Sequence, residues 1–207
     1  GSLGSGTSLA VINGNPAISY YDFTNNQAKY VRSSDVNGAA WNAPVLLGTG
    51  GPSGNSAYTS LVIVNGNPAV SYFDYSTTGL RYARATDVNG TAWAVPVLVD
   101  NTADIGRSNS FGVAGGVPVI ASYDFTNGDL RFAVSADANG AVWNAGSQQV
   151  VDSGDPEVDA GTFPSLALVS GTPAIAYRSD ITAEILYVKA GTVEGQSWGT
   201  PVLVSSP

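Results

Sequence analysis

Short apolar runs recur at four places along the chain, and turn residues follow each of them. The runs occupy residues 9–12, 61–64, 111–114 and 166–169. Continuous apolar runs of this length, bounded by turn residues, predict strands that are buried on both faces. The turns read Asn-Gly in the first two copies, Gly-Gly in the third and Ser-Gly in the fourth. Asn-Gly and Gly-Gly favour the positive φ angles of a two-residue hairpin, so each run is predicted to pair with the segment after it.

Each turn leads into a second strand that is rich in Tyr, Ile and Val, which have high strand propensity. A proline stands at its start in every copy: Pro16, Pro68, Pro118 and Pro173. A third strand carries an aromatic residue at one aligned position: Tyr30, Tyr82, Phe132 and Tyr187. A fourth strand begins near a tryptophan and contains Pro in three copies, which suits a sheet edge. Each copy is therefore predicted to be an antiparallel meander of four strands, a to d.

The chain contains four tryptophans, about fifty residues apart, and each closes one copy. A repeat of this length with short strands is typical of a β-propeller blade. We therefore predict an all-β fold, a propeller of four four-stranded antiparallel blades in a single domain of residues 1–207. The blades are expected near residues 7–50, 58–101, 108–152 and 163–205. A single four-bladed ring is favoured, and half of an eight-bladed dimer or a segment of a longer array stays open.

Composition and charge exclude several classes of partner. The net charge is −8 and only 12% of residues are charged, so no basic patch is available for nucleic acid or an anionic membrane surface. No apolar run is long enough for membrane insertion. The absence of cysteine excludes disulfides and thiolate metal sites. A surface of Gly, Ser, Thr, Asn and Ala suits an exported protein, so a secreted or cell-surface location is expected.

The hairpin between strands c and d carries a motif. Residues 33–41 read Ser-Ser-Asp-Val-Asn-Gly-Ala-Ala-Trp, and residues 85–93 and 135–143 are close copies. The motif resembles the Asp-box, Ser-x-Asp-x-Gly-x-x-Trp, of sialidase-like β-propellers, with one extra residue before the Gly. The fourth copy has Thr192 in place of the Asp. Because an Asp carboxylate can accept hydrogen bonds from its own turn, we assign a structural role to these residues: Asp35, Trp41, Asp87, Trp93, Asp137, Trp143 and Trp198.

The resemblance raises the possibility of glycoside hydrolysis. It implies an arginine triad, a Tyr–Glu nucleophile pair and an Asp acid/base, and none of these appears here as a motif. The chain has no His or Cys to act as a general base or a nucleophile. We therefore predict no enzymatic activity and assign no catalytic residue, with a degenerate sialidase-like glycoside hydrolase as the alternative.

The best candidates for ligand binding are residues that break the repeat. They are Arg107, Arg178, Tyr58, Asp155, Glu157 and Asp159. The arginines are the only basic residues off strand c, and Tyr58 is an aromatic residue expected in an exposed loop. The acidic residues suggest Ca²⁺ through hard oxygen ligands, although turn capping is the favoured explanation and no cofactor is assigned.

The sequence thus predicts a non-catalytic extracellular module for binding, adhesion or assembly. It would use the rim of loops where strands b end and strands d lead into strands a. Carbohydrate or a protein surface is the expected partner, and self-association into a ring or fibre is a further alternative.

Overall fold

The computed structural model describes residues 3–49, 58–144, 148–154 and 159–207. Within these ranges the chain forms sixteen strands and no helix that could cross a membrane. Blade 1 contains β1 (Leu3–Ile12), β2 (Asn15–Asp22), β3 (Gln27–Arg32) and β4 (Val45–Thr49). Blade 2 contains β5 (Thr59–Val64), β6 (Asn67–Asp74), β7 (Gly79–Arg84) and β8 (Val97–Asp100). Blade 3 contains β9 (Ile105–Ala114), β10 (Val117–Asp124), β11 (Asp129–Val134) and β12 (Gln148–Asp152). Blade 4 contains β13 (Ala160–Val169), β14 (Thr172–Ser179), β15 (Ile185–Lys189) and β16 (Val202–Ser205).

Each blade is one antiparallel sheet in which the strands lie in chain order. This confirms the predicted fold class, an all-β propeller built from four four-stranded blades. The first strands of blades 1, 3 and 4 begin at Leu3, Ile105 and Ala160, slightly before the expected blade limits. In these three blades the pairing between strands a and b contains register shifts. The shifts lie at the rim end of strand a, where they add residues to the loop rim.

The hairpins between strands a and b follow the predicted turn chemistry. Asn13 and Gly14 have φ angles of 43° and 81°, and Asn65 and Gly66 have φ angles of 44° and 83°. Two consecutive residues with positive φ define the two-residue turn whose twist matches that of antiparallel strands. The Asn-Gly pairs therefore fix the register of strand a against strand b.

The core lies between neighbouring blades, in three separate clusters. One cluster joins blades 1 and 2, a second joins blades 2 and 3, and the third joins blades 3 and 4. We call the side of a blade that faces its N-terminal neighbour the leading face, and the opposite side the trailing face. Leu61 and Phe111 lie on leading faces and are each 5% exposed. Most aromatic residues of strand b belong to the core: Tyr21, Tyr72, Phe73, Tyr123 and Tyr177 are buried, whereas Tyr20 is half-buried.

Blades 1 and 4 differ from the two blades between them. Leu9, at the position of Leu61, is 70% exposed. In blade 4, Val169 is 40% exposed, whereas its counterpart Val64 is buried. The prediction that strands a are buried on both faces is therefore wrong for the end blades, because burial of Leu9 and Val169 depends on a neighbouring blade, and it is also wrong at the exposed Ile63 of blade 2. Among the described residues, no strand of blade 4 packs on a strand of blade 1 as the consecutive blades pack on each other.

Candidate functional site

In the c–d hairpins, the Asp and Trp side chains that recur from blade to blade form hydrogen bonds within their own hairpin. The Asp35 carboxylate accepts hydrogen bonds from the backbone N–H groups of Asn37 (2.9 Å), Ala39 (3.2 Å) and Ala40 (2.7 Å). The N–H groups of Ala39 and Ala40 contribute most to holding the pKa of Asp35 below its ordinary value. The indole N–H of Trp41 donates to the Gly38 carbonyl at 3.0 Å. These contacts leave the carboxylate and the indole N–H engaged in the scaffold.

The other two intact hairpins repeat this geometry. Asp87 and Asp137 each accept hydrogen bonds from the second, fourth and fifth residues after them. Trp93 and Trp143 donate their indole N–H to Gly90 and Gly140 at 2.8 Å. In blade 4 the Thr192 hydroxyl accepts a hydrogen bond from the N–H of Gln196 at 2.7 Å instead. The buried indole N–H of Trp198 has no partner among the described residues. Thr192 thus replaces part of the missing carboxylate network.

On the opposite rim, the last residue of strand b in three blades is a buried carboxylate. These residues are Asp22, Asp74 and Asp124. Asp22 accepts hydrogen bonds from the N–H of Thr24 and the side chain of Asn25, and it pairs with Lys29 at 2.6 Å. The bonds from Asn25 and Lys29 lower the pKa of Asp22 to about 2. Asp74 pairs with Arg81 in the same way, and Asp124 lies 3.7 Å from Arg131. These acids therefore cap the b–c turns and pair with strand c.

A pocket of about 180 Å³ opens on this rim between blades 2, 3 and 4. Its walls include three aromatic residues, Tyr58, Phe125 and Phe163, together with Arg107 and Asp180. Phe125 and Phe163 are 56% and 55% exposed, whereas Tyr58 is half-buried. Tyr58 and Phe163 meet edge to face with their ring centroids 6.1 Å apart. The pocket therefore brings together two of the predicted ligand-binding residues, Tyr58 and Arg107, from different blades.

The backbone at Phe163 explains why its ring stands in the pocket. Phe163 has a φ angle of 50°, in the left-handed region that bulky residues rarely adopt. It lies in the register shift of β13 between Thr162 and Ser165. A strained backbone of this kind is often found at binding sites, where the surrounding structure maintains it. Here the local irregularity coincides with an aromatic ring that is 55% exposed in the pocket wall.

Arg107 is held rigidly in the pocket wall. Its Nε donates to Asp104 Oδ1 at 2.8 Å and its Nη2 to Asp104 Oδ2 at 2.5 Å. The guanidinium carbon lies 4.3 Å from the centroid of the Phe125 ring and 5.7 Å from that of Phe73. The hydrogen bond to Asp104 raises the pKa of Arg107. The guanidinium is thus neutralised by one carboxylate and stacked on an aromatic ring, which fixes its orientation.

Arg178 acts on the pocket through its neighbour Asp180. Arg178 forms a short ion pair with the Asp180 carboxylate, and the Thr162 hydroxyl lies 3.1 Å from the same carboxylate. Asp180 and Thr162 line the pocket, whereas Arg178 is not part of its wall. Asp180 occupies the position of the aromatic residues Phe23, Tyr75 and Phe125 in the other blades. This break in the aromatic pattern was the signal by which the sequence could have identified Asp180.

The predicted acidic candidates are only partly described. Asp155 and Glu157 lie outside the described residues. Asp159 is half-buried and close to the pocket, because it hydrogen-bonds to Tyr123, another residue of the pocket wall. Burial and the Asp159 charge raise the pKa of the Tyr123 hydroxyl. Within the described ranges, no group of three or more acidic side chains is arranged to hold a metal ion.

Two larger clefts lie on the side of the c–d hairpins. One of about 360 Å³ is bounded by residues of blades 3 and 4 that include Val117, Ser135 and Glu194. Another of about 350 Å³ lies between Arg32 and the 89–91 turn. Both are formed by residues of the repeated scaffold, with no cluster of exposed rings. We therefore regard the smaller pocket as the candidate site, because its aromatic and charged residues depart from the repeat.

Comparison with known proteins supports the fold. No known family profile and no curated protein sequence matches the chain. The GH43B protein of the Bacteroides ovatus xyloglucan PUL is similar in structure, with a TM-score of 0.63 and 16% identity over 99% of this chain and 41% of that one. A xylan β-1,4-xylosidase from Bacillus halodurans has a TM-score of 0.63 and 11% identity over 99% and 42% of the two chains.

A third solved structure is the catalytic domain of a GH62 α-L-arabinofuranosidase from Coprinopsis cinerea. It has a TM-score of 0.63 and 11% identity over 98% of this chain and 68% of that domain. The chain spans less than half the length of the first two proteins. These likenesses support the β-propeller fold of the chain.

Proposed function

We propose that this protein is a carbohydrate-binding propeller whose ligand site is the rim pocket between Tyr58, Arg107, Phe163 and Asp180. The observation that carries the proposal is the convergence of exposed aromatic rings with fixed polar groups. The apolar faces of sugar rings stack on aromatic side chains, and sugar hydroxyls both donate and accept hydrogen bonds. Arg107 offers donors and Asp180 offers acceptors beside Phe125 and Phe163. The pocket is smaller than the usual 300–1,000 Å³ of ligand sites, so it suits one residue of a longer glycan.

Charge favours a neutral sugar over an acidic one. Asp104 neutralises Arg107, and Asp180 neutralises Arg178. Neither arginine is therefore available to bind the carboxylate of an acidic sugar without losing its ion pair. The chain as a whole carries a net charge of −8, which also disfavours an anion. An anionic sugar would therefore have to displace an existing ion pair. The neighbours in structure include a xylosidase and an arabinofuranosidase, which supports neutral pentose polymers as the first ligands to test.

The test is calorimetric titration with xylo-oligosaccharides and arabino-oligosaccharides, with a sialylated oligosaccharide for comparison. The Phe163→Ala variant should weaken binding of the neutral sugar at least tenfold, because the stacking ring is lost. Val88→Ala is the control, since Val88 is also an exposed apolar residue but lies in a c–d hairpin on the opposite rim. Binding by the control with the affinity of the unchanged protein supports the assignment. Equal weakening in both variants, or a preference for the sialylated ligand, would contradict it.

Hydrolysis of the bound glycan is the second candidate function. The structural neighbours named as glycoside hydrolases favour it over an inert module. Glycoside hydrolysis requires two carboxyl groups across the scissile bond, and Asp180 and Asp159 are the carboxylates on and beside the pocket wall. Release of reducing sugar from xylan or arabinan should then be abolished by Asp180→Asn or Asp159→Asn, while sugar binding persists. Binding without any release of sugar would restrict the function to recognition.

An exported location fits this proposal, because polysaccharides of this kind are met outside the cell. The low share of charged residues, 12%, is the supporting observation. Measuring the protein in culture supernatant and cell fractions of a producing strain would test it.

A further inference from the structure

The three interfaces between consecutive blades repeat one aromatic contact. The strand c aromatic residue of each blade packs on the tryptophan of the next blade. The centroid distances are 5.1 Å for Tyr30 and Trp93, 5.5 Å for Tyr82 and Trp143, and 4.8 Å for Phe132 and Trp198. The same ring lies over the glycine of the next hairpin, where an added Cβ would come within 2.4–2.6 Å of it at Gly90, Gly140 and Gly195. Each hairpin is therefore a socket for the ring of the preceding blade.

A second contact repeats along the first strands. The N–H of Leu61 donates to Ser8 Oγ at 3.0 Å. The N–H of Phe111 donates to Ser60 Oγ at 3.1 Å, and the N–H of Leu166 donates to Ser110 Oγ at 3.0 Å. The side chains of Leu61 and Phe111 are buried against the preceding blade at the same points. Every internal interface thus combines a serine on the trailing face with an apolar residue on the leading face.

The leading face of blade 1 carries one half of this interface without a partner. Leu9 is 70% exposed, and Trp41 is 41% exposed with no aromatic neighbour in the described part of the chain. Only Pro16 and Trp41, from the same blade, approach a Cβ added at Gly38. The socket formed by Gly38 and Trp41 is therefore empty of the ring that fills the other three.

The trailing face of blade 4 carries the other half. Ser165 is exposed at the position of Ser8, Ser60 and Ser110. Tyr187 stands at the position of Tyr30 and Tyr82, and no tryptophan packs on it among the described residues. Val169 is 40% exposed, whereas its counterparts Ile12 and Val64 are 1% and 0% exposed. The two end faces are thus complementary halves of the interface that the chain already forms three times.

We propose that the trailing face of blade 4 in one copy docks on the leading face of blade 1 in a second copy of this chain. Tyr187 would fill the socket of Gly38 and Trp41, and Ser165 would accept a hydrogen bond from the N–H of Leu9. The occupant is a second copy because each face lacks what the other presents, and because the two faces do not pack on each other within the described chain. Such a contact joins two different surfaces, so it is heterologous and can propagate into a ring or a filament.

Disulfide trapping tests the register of this contact. Because the chain has no cysteine, only the introduced residues can form a disulfide. A chain with Leu9→Cys is mixed with a chain with Ser165→Cys under mild oxidation. A cross-linked species of twice the 21.1 kDa chain mass is expected from the mixture and not from either variant alone. A chain carrying Ser8→Cys and Leu61→Cys should form an intrachain bond, which calibrates the method. No cross-link in the mixture, or a purely intrachain bond in a chain carrying Leu9→Cys and Ser165→Cys, would overturn the proposal.

Sedimentation of the unmodified protein over a range of concentrations gives an independent test. The mean mass should rise with concentration, and Leu9→Asp should return it to 21.1 kDa at concentrations where the unmodified protein associates. Leu9 is exposed, so this change leaves the fold of the single chain intact. Val95→Asp is the matched control, because Val95 is 87% exposed on blade 2 and lies off both end faces. A single 21.1 kDa species at all concentrations, or equal dissociation by Val95→Asp, would contradict the contact.

Discussion

The two rims of this propeller are built from the same four blades. They differ in how closely the residues at equivalent positions resemble each other from blade to blade. On the c–d hairpin rim, three carboxylates and four tryptophans occupy equivalent positions and mostly repeat the same hydrogen bonds. On the opposite rim, Arg107 has no basic counterpart in the other blades, and the aromatic residues Tyr58 and Phe163 correspond to Gly6 and Ser108 in blades 1 and 3. Repetition marks the groups that every blade needs for packing, and departures from it mark the groups available for a ligand.

The largest effect is expected from the hairpin rim, at Tyr82. This side chain is 2% exposed, packs on Trp143 and Phe111, and donates its hydroxyl to the Asn139 carbonyl at 2.8 Å. Tyr82→Ala should lower the free energy of unfolding by about 3–5 kcal/mol, because it opens a cavity between blades 2 and 3. Urea unfolding followed by tryptophan fluorescence measures the change.

Tyr82→Phe is the matched control for this prediction. It keeps the ring and loses only one hydrogen bond, so a loss of about 1 kcal/mol is expected. Phe132 already occupies the equivalent position in blade 3, where it packs on Trp198. Similar losses from both variants would show that the hydroxyl, not the packing of the ring, holds the interface together.

A smaller loss is expected from Asp137→Ala in the same rim. The Asp137 carboxylate accepts hydrogen bonds from Asn139 (2.8 Å), Ala141 (3.3 Å) and Val142 (2.7 Å). Removing this acceptor should cost about 2 kcal/mol in thermal or urea unfolding, as expected for hydrogen bonds to a charged group. Asp137→Thr should recover part of the loss, because Thr192 performs this role in blade 4. An alanine variant as stable as the unchanged protein would contradict a structural role.

Acid should weaken the fold through the carboxylates that cap the b–c turns. The pKa of Asp22 is about 2 in the folded protein, below the value near 3.9 of an unfolded chain. Its contribution to stability is therefore complete above about pH 4 and is lost as the pH falls toward 2. The melting temperature of Asp22→Asn should consequently fall less between pH 4 and pH 2 than that of the unchanged protein, as measured by circular dichroism.

Asp129 gives the opposite sign and serves as the control. Burial and the neighbouring Asp124 raise the pKa of Asp129, so its charged form destabilises the folded state above the unfolded pKa. Asp129→Asn should raise the melting temperature at pH 7 and leave it nearly unchanged at pH 3. A pH dependence of the same sign in both variants would contradict the assignment of these two carboxylates.

The sequence was sufficient for the blade and for part of the site. Short continuous apolar runs, Asn-Gly turns and the spacing of the tryptophans depend on local chemistry, so they predicted four meanders. Arg107 and Tyr58 were identified because they interrupt the repeat. Phe163 was not among the predicted ligand-binding residues, because its place in the pocket wall depends on a positive φ angle in the register shift of β13. The exposure of Leu9 was also hidden, since burial of a leading face depends on which blade precedes it.

The smallest effect on stability is expected in the pocket, at Arg107. Its ion pair with Asp104 is partly exposed, and such pairs contribute about 0–1 kcal/mol. Arg107→Ala should therefore change the free energy of unfolding by less than about 1 kcal/mol while it weakens sugar binding, because a fixed donor and the support for Phe125 are lost. Paired urea unfolding and calorimetric titration measure both quantities on one sample. If Arg107→Ala instead destabilised the fold as strongly as Asp137→Ala and left binding intact, the pocket rim would be a scaffold like the hairpin rim, and the distinction between the two rims would fail.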